Sequence, residues 1–379
     1  MKIALLGSRG IPASYSGFET FYEQFATRLV KRGHEVTVYN RSHWVKYDGK
    51  TYNGVRIVSL PSIPTKHLDT ISHTFISTIH ALKERFDILY YCIVGNSPVA
   101  LLAKQAGQRV ILNVDGADAE RDKWKGLAKD FIRFSERLAP MSAHVIIADS
   151  RAILKRYKEQ LGARTVYIPY GANPWHRDLE KNNQDVLKRF GLSPDGYILF
   201  VSRMTPENKA HLLVEAFKKA NTHLKLVLVG DAPYVDDYKK QLDRICEGDD
   251  RIIRTGYLWG KDYRQISCHA RFFVLPSTID GTRPVLLDQM AFGNCVVVAN
   301  NPAQMEVVKD CGVYFEKERP VESLAEKIEL LSRDDELVQY LRQKAFRRVT
   351  KRYSWDRITI QYEKLFEKIM KYPTIFSPR

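Results

Sequence analysis

The stretch that decides the fold runs from Ser277 to Asn300 and reads STIDGTRPVLLDQMAFGNCVVVAN. It predicts a loop, then a short helix, then an apolar strand. Thr282 suits the helix N-cap, Pro284 the first turn and Gly293 the helix end, because these residue types are favoured at those positions. A loop, helix and strand in this order are typical of an α/β fold.

Two acids and a glycine give this stretch its chemistry. Asp280 lies in the loop, and Asp288 lies on the helix eight positions later. Unpaired backbone N–H groups of Gly281 and its neighbours would point out of the helix start, which suits an anion such as a diphosphate. Asp288 can accept two hydrogen bonds from a sugar diol. The stretch favours a nucleotide-sugar site; the alternative is an ordinary αβ unit with two incidental acids.

The same alternation of apolar runs and helical periodicity extends along the whole chain. Helical spacing is clear, for example, at Phe21, Phe25, Leu29 and Val30. Continuous Val/Ile/Leu strands between helices predict parallel sheets that are covered on both faces. The strand candidates are Ile3–Leu6, Val36–Tyr39, Val55–Leu60, Ile88–Ile93, Val110–Val114, Val145–Ala148, Val166–Ile168, Tyr197–Val201, Leu226–Val229, Ile252–Thr255, Phe272–Leu275 and Val296–Ala299.

The strands form two series, which predicts two doubly wound, Rossmann-like α/β domains. A polar stretch, Gly171–Asp195, separates them, and Gly171–Asn173 reads as a hinge. The predicted domains are therefore residues 1–170 and 171–354, with two or more helices after the last strand. Because ligands bind at the carboxyl ends of parallel strands, the expected site is a cleft between two facing domains.

Composition limits the cellular setting and the partners. The chain has 379 residues, enough for two domains, and a net charge of +15 that implies an anionic partner: nucleic acid, anionic lipid or phosphorylated substrates. Its five cysteines are odd in number and lack CxxC spacing, which favours a reducing compartment. The first residues are interrupted too early for a signal peptide, and no apolar run reaches membrane-spanning length. We therefore expect a cytosolic protein or one attached to a membrane face.

The first loop, GSRGIPASYSGFETF, follows strand Ile3–Leu6 and contains Gly10 and Gly17, which allow close backbone approach to a ligand. It is not a GxGxxG loop, and the second strand ends in Tyr39–Arg41 rather than in an acid. Both features argue against a dinucleotide-dependent oxidoreductase. Glu19, placed just before the first helix, either favours the helix dipole or serves the cleft.

Several pieces together carry a resemblance to a known family. They are GSRGIPASYSGFE, VYIPYGAN, VSRMTPENK, LVLVGDAP and DGTRPVLLDQMAFGNCVVVANNPAQMEVV, in this order along the chain. The chain resembles GT-B glycosyltransferases of family 4 nearly from end to end. The segments SRGIPA, NVDG, TPEN and GTRPVLL most resemble those of the rhamnosyltransferase-like branch, which acts in bacterial cell-surface polysaccharide assembly.

The resemblance implies a donor-binding role for the domain 171–354. Arg203 matches the family's diphosphate-binding arginine, and Asp288 the second acid of its Glu-x7-Glu motif, which holds the ribose. Asp280 takes the place of the first acid, as a candidate catalytic residue. Asn208 replaces the usual lysine, so Lys209 is the candidate at that place. Gly281 and Thr282 at the helix start complete the candidate donor-binding set.

The resemblance also implies that the domain 1–170 binds the acceptor and that a C-terminal helix, about 355–379, packs back on it. Asp115 follows strand Val110–Val114, where many relatives carry a histidine that faces the sugar. It is a second candidate catalytic residue, which could accept a hydrogen bond from donor or acceptor. Its alternative role is a turn residue, a common use of Asp-Gly.

The implied reaction is retaining transfer of a hexose, with dTDP-rhamnose as the expected donor and a lipid-linked saccharide as the expected acceptor. No cofactor is expected, and no metal-binding DxD motif is evident, so fixed cations and a helix start would stabilise the leaving diphosphate. The alternatives are a hexosyltransferase for a UDP- or GDP-sugar, a sugar-nucleotide epimerase of the same architecture and a non-catalytic relative. A nucleic-acid partner is disfavoured because no binding module for one is present.

One further segment, AERDKWKGLAKDFIRFSERL at 119–138, reads as an amphipathic helix with basic flanks. Its apolar side would carry Trp124, Leu127, Phe131, Phe134 and Leu138. Such a helix can lie in the headgroup region of an anionic membrane, which would make the protein peripheral on the inner face of the plasma membrane. The alternative is a packed helix with solvated charges.

Overall fold

The computed structural model describes residues 1–13, 17–65, 67–114, 126–232, 235–277 and 282–372. The chain divides into two compact units. Met1–Gly171 form the first unit together with the segment that begins at Trp355, and Ala172–Ser354 form the second. Each unit is a sheet covered by helices.

The sheet of the first unit has eight strands in the order β3-β4-β2-β1-β5-β6-β7-β8. The strands are β1 (Lys2–Leu6), β2 (Glu35–Arg41), β3 (Thr51–Tyr52), β4 (Val55–Leu60), β5 (Ile88–Cys92), β6 (Val110–Val114), β7 (Val145–Ala148) and β8 (Thr165–Tyr167). All neighbours pair in parallel except β3, which pairs antiparallel with β4. The helices that connect these strands are α1 (Gly17–Lys31), α2 (Asp69–Glu84), α3 (Ser97–Gln105), α4 (Leu127–Ser142) and α5 (Arg151–Lys155).

The second unit has a six-stranded sheet in the order β11-β10-β9-β12-β13-β14, and all of its pairings are parallel. Its strands are β9 (Tyr197–Val201), β10 (Lys225–Val229), β11 (Ile252–Gly256), β12 (Phe272–Leu275), β13 (Cys295–Ala299) and β14 (Val313–Phe315). Its helices are α6 (Asp185–Arg189), α7 (Ala210–Lys219), α8 (Asp236–Cys246), α9 (Gly260–Cys268), α10 (Pro284–Ala291), α11 (Pro302–Val308), α12 (Pro320–Arg333) and α13 (Asp335–Arg352).

The last helix, α14 (Trp355–Lys371), belongs to the first unit and packs against α1. The Phe25 and Tyr362 rings lie 4.7 Å apart, and the Tyr90 hydroxyl donates a hydrogen bond to the Tyr362 hydroxyl (3.2 Å). Side chains alternate across a strand, so the neighbours of Tyr90 on β5 point to the other face of the sheet. There Leu89 and Tyr91 share one apolar core with buried residues of α2, α3 and α4. Helices therefore cover both faces of the first sheet.

The predicted fold class is confirmed: both units are Rossmann-like α/β domains built on parallel sheets. Each predicted strand is present, and its ends lie within two residues of the predicted ones. The structure adds two short strands to these candidates: β14, which has three residues, and β3, which has only two. It joins β4 through Asn53 and Gly54, which both adopt positive φ (47° and 82°), as a two-residue hairpin turn requires. Within the described part of the chain, no helix combines the length and apolarity needed to cross a bilayer.

Candidate functional site

The start of α10 lies after β12 at the carboxyl end of the second sheet. Arg283 is its N-cap, with extended backbone angles, and Pro284 is its first residue. The prediction of Thr282 as the N-cap is therefore wrong: proline is favoured at the first helical position, so the cap is the residue directly before Pro284. Thr282 itself is buried. Gly293 follows the helix with φ of 72°, which confirms the predicted end.

Asp288 lies in the second turn of α10 and is half-buried. The surrounding protein removes water from its carboxyl group and raises its pKa to about 7. Among the residues that the structure describes, none donates a hydrogen bond to this carboxyl group. The Tyr263 hydroxyl lies nearby and accepts a hydrogen bond from Gln289 Nε2 (3.1 Å). The carboxyl group of Asp288 is thus desolvated, and no described residue uses its capacity to accept hydrogen bonds.

The loop after β9 carries the two candidate cations. Arg203 is partly exposed, and one of its guanidinium nitrogens lies 3.5 Å from Glu207 Oε1. Lys209 adopts a left-handed backbone conformation (φ 55°) between a short 3-10 turn and α7. Burial lowers the pKa of the Lys209 ammonium group, and no described residue accepts a hydrogen bond from it.

Asn208, which replaces the family lysine, has a structural role. It is buried, and its Nδ2 donates hydrogen bonds to the Arg203 carbonyl (2.9 Å) and to Thr205 Oγ1 (3.0 Å). These bonds hold the loop in a shape that keeps Lys209 partly open to solvent. Asn208 therefore stabilises the loop that carries Arg203 and Lys209.

Ser277 joins the loop after β9 to the start of α10. Its hydroxyl donates to the Glu207 carbonyl (3.2 Å) and accepts from the Arg283 guanidinium (3.2 Å). Gln304 Nε2 on α11 donates to the Ser277 carbonyl (2.6 Å). A continuous chain of contacts therefore runs from Arg203 through Glu207 and Ser277 to Arg283.

Sequence reasoning missed Glu207, Ser277, Arg283 and Gln304 as members of this site. One signal was available: each of them lies in a loop after a strand, or in the first turn of the helix that follows it, where polar side chains of an α/β domain meet. Three other candidates, Asp115, Asp280 and Gly281, lie outside the described residues. Their roles remain predictions.

The loop after β1 is tied to the rest of the first unit. Asn40 at the end of β2 accepts a hydrogen bond from Ile11 N (3.0 Å) and donates one to the Ile11 carbonyl (2.7 Å). Gly10 packs so closely against Asn40 that a Cβ atom there would lie 2.2 Å from Asn40 Oδ1. Glu19 is buried in the first turn of α1, not before the helix as predicted, and accepts a hydrogen bond from Arg9 N (2.9 Å). Gly17 is the first residue of that helix.

Arg41 explains why the second strand carries no acid at its end. Its guanidinium is buried, donates to the Gly7 carbonyl (3.1 Å) and pairs with Asp69 (2.7 Å). Burial lowers the pKa of Arg41 while Asp69 partly compensates. The end of β2 thus supports the first loop with a cation, where a dinucleotide-binding domain would present an acid to a ribose. Among the described residues, no group of three His, Cys, Asp or Glu side chains is placed to hold a metal ion.

Family comparisons agree with this division of the chain. Residues 195–334 match the family described as "Glycosyl transferases group 1". Residues 1–173 match a family described as "Domain of unknown function (DUF1972)". The similarity to glycosyl transferases of group 1 therefore lies in the second unit.

Two relatives cover most of the chain at low identity. An uncharacterized glycosyltransferase of Methanocaldococcus jannaschii is 23% identical over 98% of this chain and 99% of its own length. Alpha-monoglucosyldiacylglycerol synthase of Streptococcus pneumoniae is 23% identical over 82% of this chain and 74% of its own length.

Solved structures share the fold. Sucrose-phosphate synthase from Thermosynechococcus elongatus superimposes with a TM-score of 0.84 at 17% identity, over 98% of this chain and 99% of that one. HepE of Anabaena, in complex with UDP-glucose, superimposes with a TM-score of 0.78 at 20% identity, over 97% and 100%. The chain therefore shares the fold of these solved structures over nearly its whole length.

Proposed function

We propose that the protein transfers a sugar from a nucleoside diphosphate sugar to a hydroxyl group of a lipid-linked saccharide, in cell-surface polysaccharide assembly. One observation carries the donor part of this proposal. The chain of contacts from Arg203 to Arg283 brings the arginine loop to the start of the helix that carries Asp288. Arg203, as a cation for the diphosphate, and Asp288, as an acid for the ribose, would then belong to one site.

The second unit would bind the donor and the first unit the acceptor. Arg203, with Lys209 beside it, would hold the diphosphate, because an arginine can bind phosphate oxygens bidentately. The backbone at Gly281 and Thr282 would donate to the same group. Asp288 would accept hydrogen bonds from both ribose hydroxyls, because no described residue donates a hydrogen bond to its carboxyl group.

The proposed chemistry is a front-face displacement with retention. The bond between the anomeric carbon and the diphosphate oxygen breaks, and the electron pair leaves with the diphosphate. The acceptor oxygen bonds to the same face of the sugar, and its proton passes to the leaving diphosphate. Arg203 and the helix start would stabilise the charge on the leaving group without a metal ion. A covalent sugar adduct trapped on Asp115 or Asp280 would contradict this path.

Within this class we propose dTDP-rhamnose as the donor, on the resemblance of the motifs to the rhamnosyltransferase-like branch. The relative from Streptococcus is named for glucosylation of diacylglycerol, and HepE was solved with UDP-glucose. Both support an activated hexose as donor and keep UDP-sugars as the second candidate. A lipid-linked acceptor would place the enzyme on the inner face of the plasma membrane.

A thermal-shift comparison of dTDP, UDP and GDP tests the donor. A ligand that binds only the folded protein adds about 2.7 kcal/mol at ~100 times its dissociation constant. We expect dTDP to raise the melting temperature most and the Arg203→Ala variant to lose the shift. A larger shift with UDP or GDP would replace the proposed donor, and no shift with any nucleotide would contradict the proposed site. With donor alone, release of a changed sugar nucleotide would favour the epimerase.

A further inference from the structure

An apolar face covers the outside of the helices α2, α3 and α4 in the first unit. We define it by six exposed side chains: Phe75, Ile79, Leu102, Leu127, Phe131 and Phe134. These helices lie on one face of the sheet, and α3 contacts both of its neighbours. Exposed apolar side chains that recur on three adjacent helices favour an interaction surface, whereas single scattered ones need no explanation.

The stripe on α4 follows helical periodicity. Leu127, Phe131 and Phe134 are spaced by four and three residues, which places them on one side of the helix. Leu127 is 88% exposed and Phe134 56% exposed, while Ile132 and Ala139 on the opposite side are buried in the core. The predicted apolar side of this segment therefore points away from the core at these three positions; Trp124 lies outside the described residues.

The charges beside the stripe are mainly basic. Lys129, Arg133 and Arg137 flank it on α4, and Arg133 and Arg137 are exposed. Asp130 is the exposed acid of this helix, 3.8 Å from Arg133, whereas Glu136 is turned inward and bonded to Arg156 (3.0 Å). Lys83 adds a further exposed cation on the outward side of α2. The apolar face thus has a basic border.

We propose that this face docks on the surface of an anionic lipid membrane. Apolar side chains would enter the boundary between headgroups and acyl chains, and the basic side chains would contact the anionic headgroups. Arginine and lysine suit this border, since their aliphatic stems can lie along apolar surface while their charges stay in water. The chain's net charge of +15 favours an anionic surface over a second, equally basic copy of the chain.

Co-sedimentation of the full chain with phosphatidylglycerol vesicles tests the proposal. The variant Leu127→Ser/Phe131→Ser/Phe134→Ser should lower the bound fraction about tenfold or more, because three side chains lose their transfer from water. The variant Arg133→Gln/Arg137→Gln should lower the binding constant for these vesicles about 30-fold, since roughly 1 kcal/mol is lost per cation, and leave binding to phosphatidylcholine vesicles unchanged.

The second unit provides a matched control. Leu179, Met305 and Leu330 are also exposed apolar side chains, but they lie apart on different elements. Their triple replacement by serine should leave vesicle binding within about twofold of the wild type, since they border no basic apolar face. Circular dichroism and melting temperature would confirm that both triple variants fold.

Two results would overturn the proposal: equal vesicle binding by the α4 triple variant and the wild type, or no vesicle binding by the wild type. In the second case size-exclusion chromatography identifies the alternative, since a dimer that the triple variant dissociates would assign the face to a second copy. The proposed membrane contact rests on the proposed function and extends it, because it identifies the surface to which the enzyme would bind. The two remain separable because vesicle binding is measured without donor, and nucleotide binding without vesicles.

Discussion

The loops that leave the first strand of each unit differ in how their polar groups are used. After β1 the groups bond to the protein itself: Asn40 binds the Ile11 backbone, Glu19 receives the Arg9 N–H, and Arg41 donates to the Gly7 carbonyl. After β9 the loop presents Lys209, whose ammonium group has no acceptor among the described residues. The first loop is closed on the protein, and the second keeps polar capacity for a ligand.

The same contrast appears between the acids of the two units. Glu19 is buried and bonded to the backbone, whereas Asp288 is desolvated and receives no hydrogen bond from a described residue. The two acids, each on a helix that follows a strand, thus differ in whether a described residue satisfies them. An acid that the described residues leave unsatisfied can accept hydrogen bonds from a ligand, and this difference supports the proposal that the second unit binds the donor.

The largest expected effect is on Arg203. We expect Arg203→Ala to lower the turnover of donor about 10²–10³-fold, roughly 3–4 kcal/mol, since the leaving diphosphate loses its cation. Arg203→Lys should retain part of the activity, because a point charge remains but the bidentate geometry is lost. Steady-state kinetics with the donor that wins the nucleotide comparison measures both.

Arg189 supplies the control for this variant. It is an exposed arginine of the same unit, paired with Asp262 on the surface (2.8 Å). Arg189→Ala should leave turnover unchanged, as surface ion pairs contribute little. Melting temperatures are needed beside the kinetics, because Arg203→Ala also removes the cation that faces Glu207. Wild-type activity in a folded Arg203→Ala protein would show that the loop after β9 does not bind the donor through Arg203. The proposed difference between the two loops would then fail.

The second prediction concerns Gly10, in the loop after β1 whose polar groups bond to the protein itself. Gly10 has φ of 119°, and a Cβ atom there would lie 2.8 Å from Asn40 Cα as well as against its side chain. We expect Gly10→Ala to lower the free energy of unfolding by about 3 kcal/mol, from backbone strain and overpacking combined. Chemical denaturation measures this loss.

Gly33 isolates the contribution of the backbone alone. Its φ is 87°, and no heavy atom lies within 4 Å of the place where a Cβ atom would stand. Gly33→Ala should therefore cost only about 1 kcal/mol. Equal losses for the two variants would show that the close contact between Gly10 and Asn40 does not constrain the loop.

The sequence predicts the sheets better than the site. Strands such as Val55–Leu60 and Tyr197–Val201 could be read to the residue, because continuous apolar runs end abruptly at polar or glycine positions. The end of α10 at Gly293 could be read for a similar reason, since a glycine with positive φ commonly follows a helix. The start of α10 was placed one residue early, although Pro284 alone implies the cap at Arg283.

The rest of the site depends on contacts that sequence spacing does not contain. Ser277 meets Glu207 across 70 positions of the chain, and no local pattern relates them. The family motif supplied Arg203 and Asp288, but not the roles of Asn208 and Arg41, which follow from what each side chain faces. Whether an acid is satisfied or left open is a property of packing, and so Glu19 and Asp288 look alike in the sequence.

The third prediction concerns Asp288, whose replacement should raise the free energy of unfolding instead of lowering it. An unfolded aspartate has a pKa near 3.9, whereas burial raises the pKa of Asp288 to about 7. The folded protein then holds a proton that the unfolded chain has released, so this group lowers stability progressively as the pH rises from about 4 to 7. Asp288→Asn removes the charge and should stabilise the protein by about 1–3 kcal/mol at pH 8 and not at pH 4.

The same variant should bind the donor more weakly. A carboxylate can accept hydrogen bonds from both ribose hydroxyls with its two oxygens, whereas an amide has only one acceptor oxygen. Wild-type affinity for the nucleotide should rise between pH 6 and 8 as Asp288 ionises, and the variant's should stay flat over that range. Thermal denaturation and isothermal titration at each pH measure the two quantities. A variant that is less stable at pH 8 would show that the carboxylate is satisfied after all, and the contrast with Glu19 would then fail.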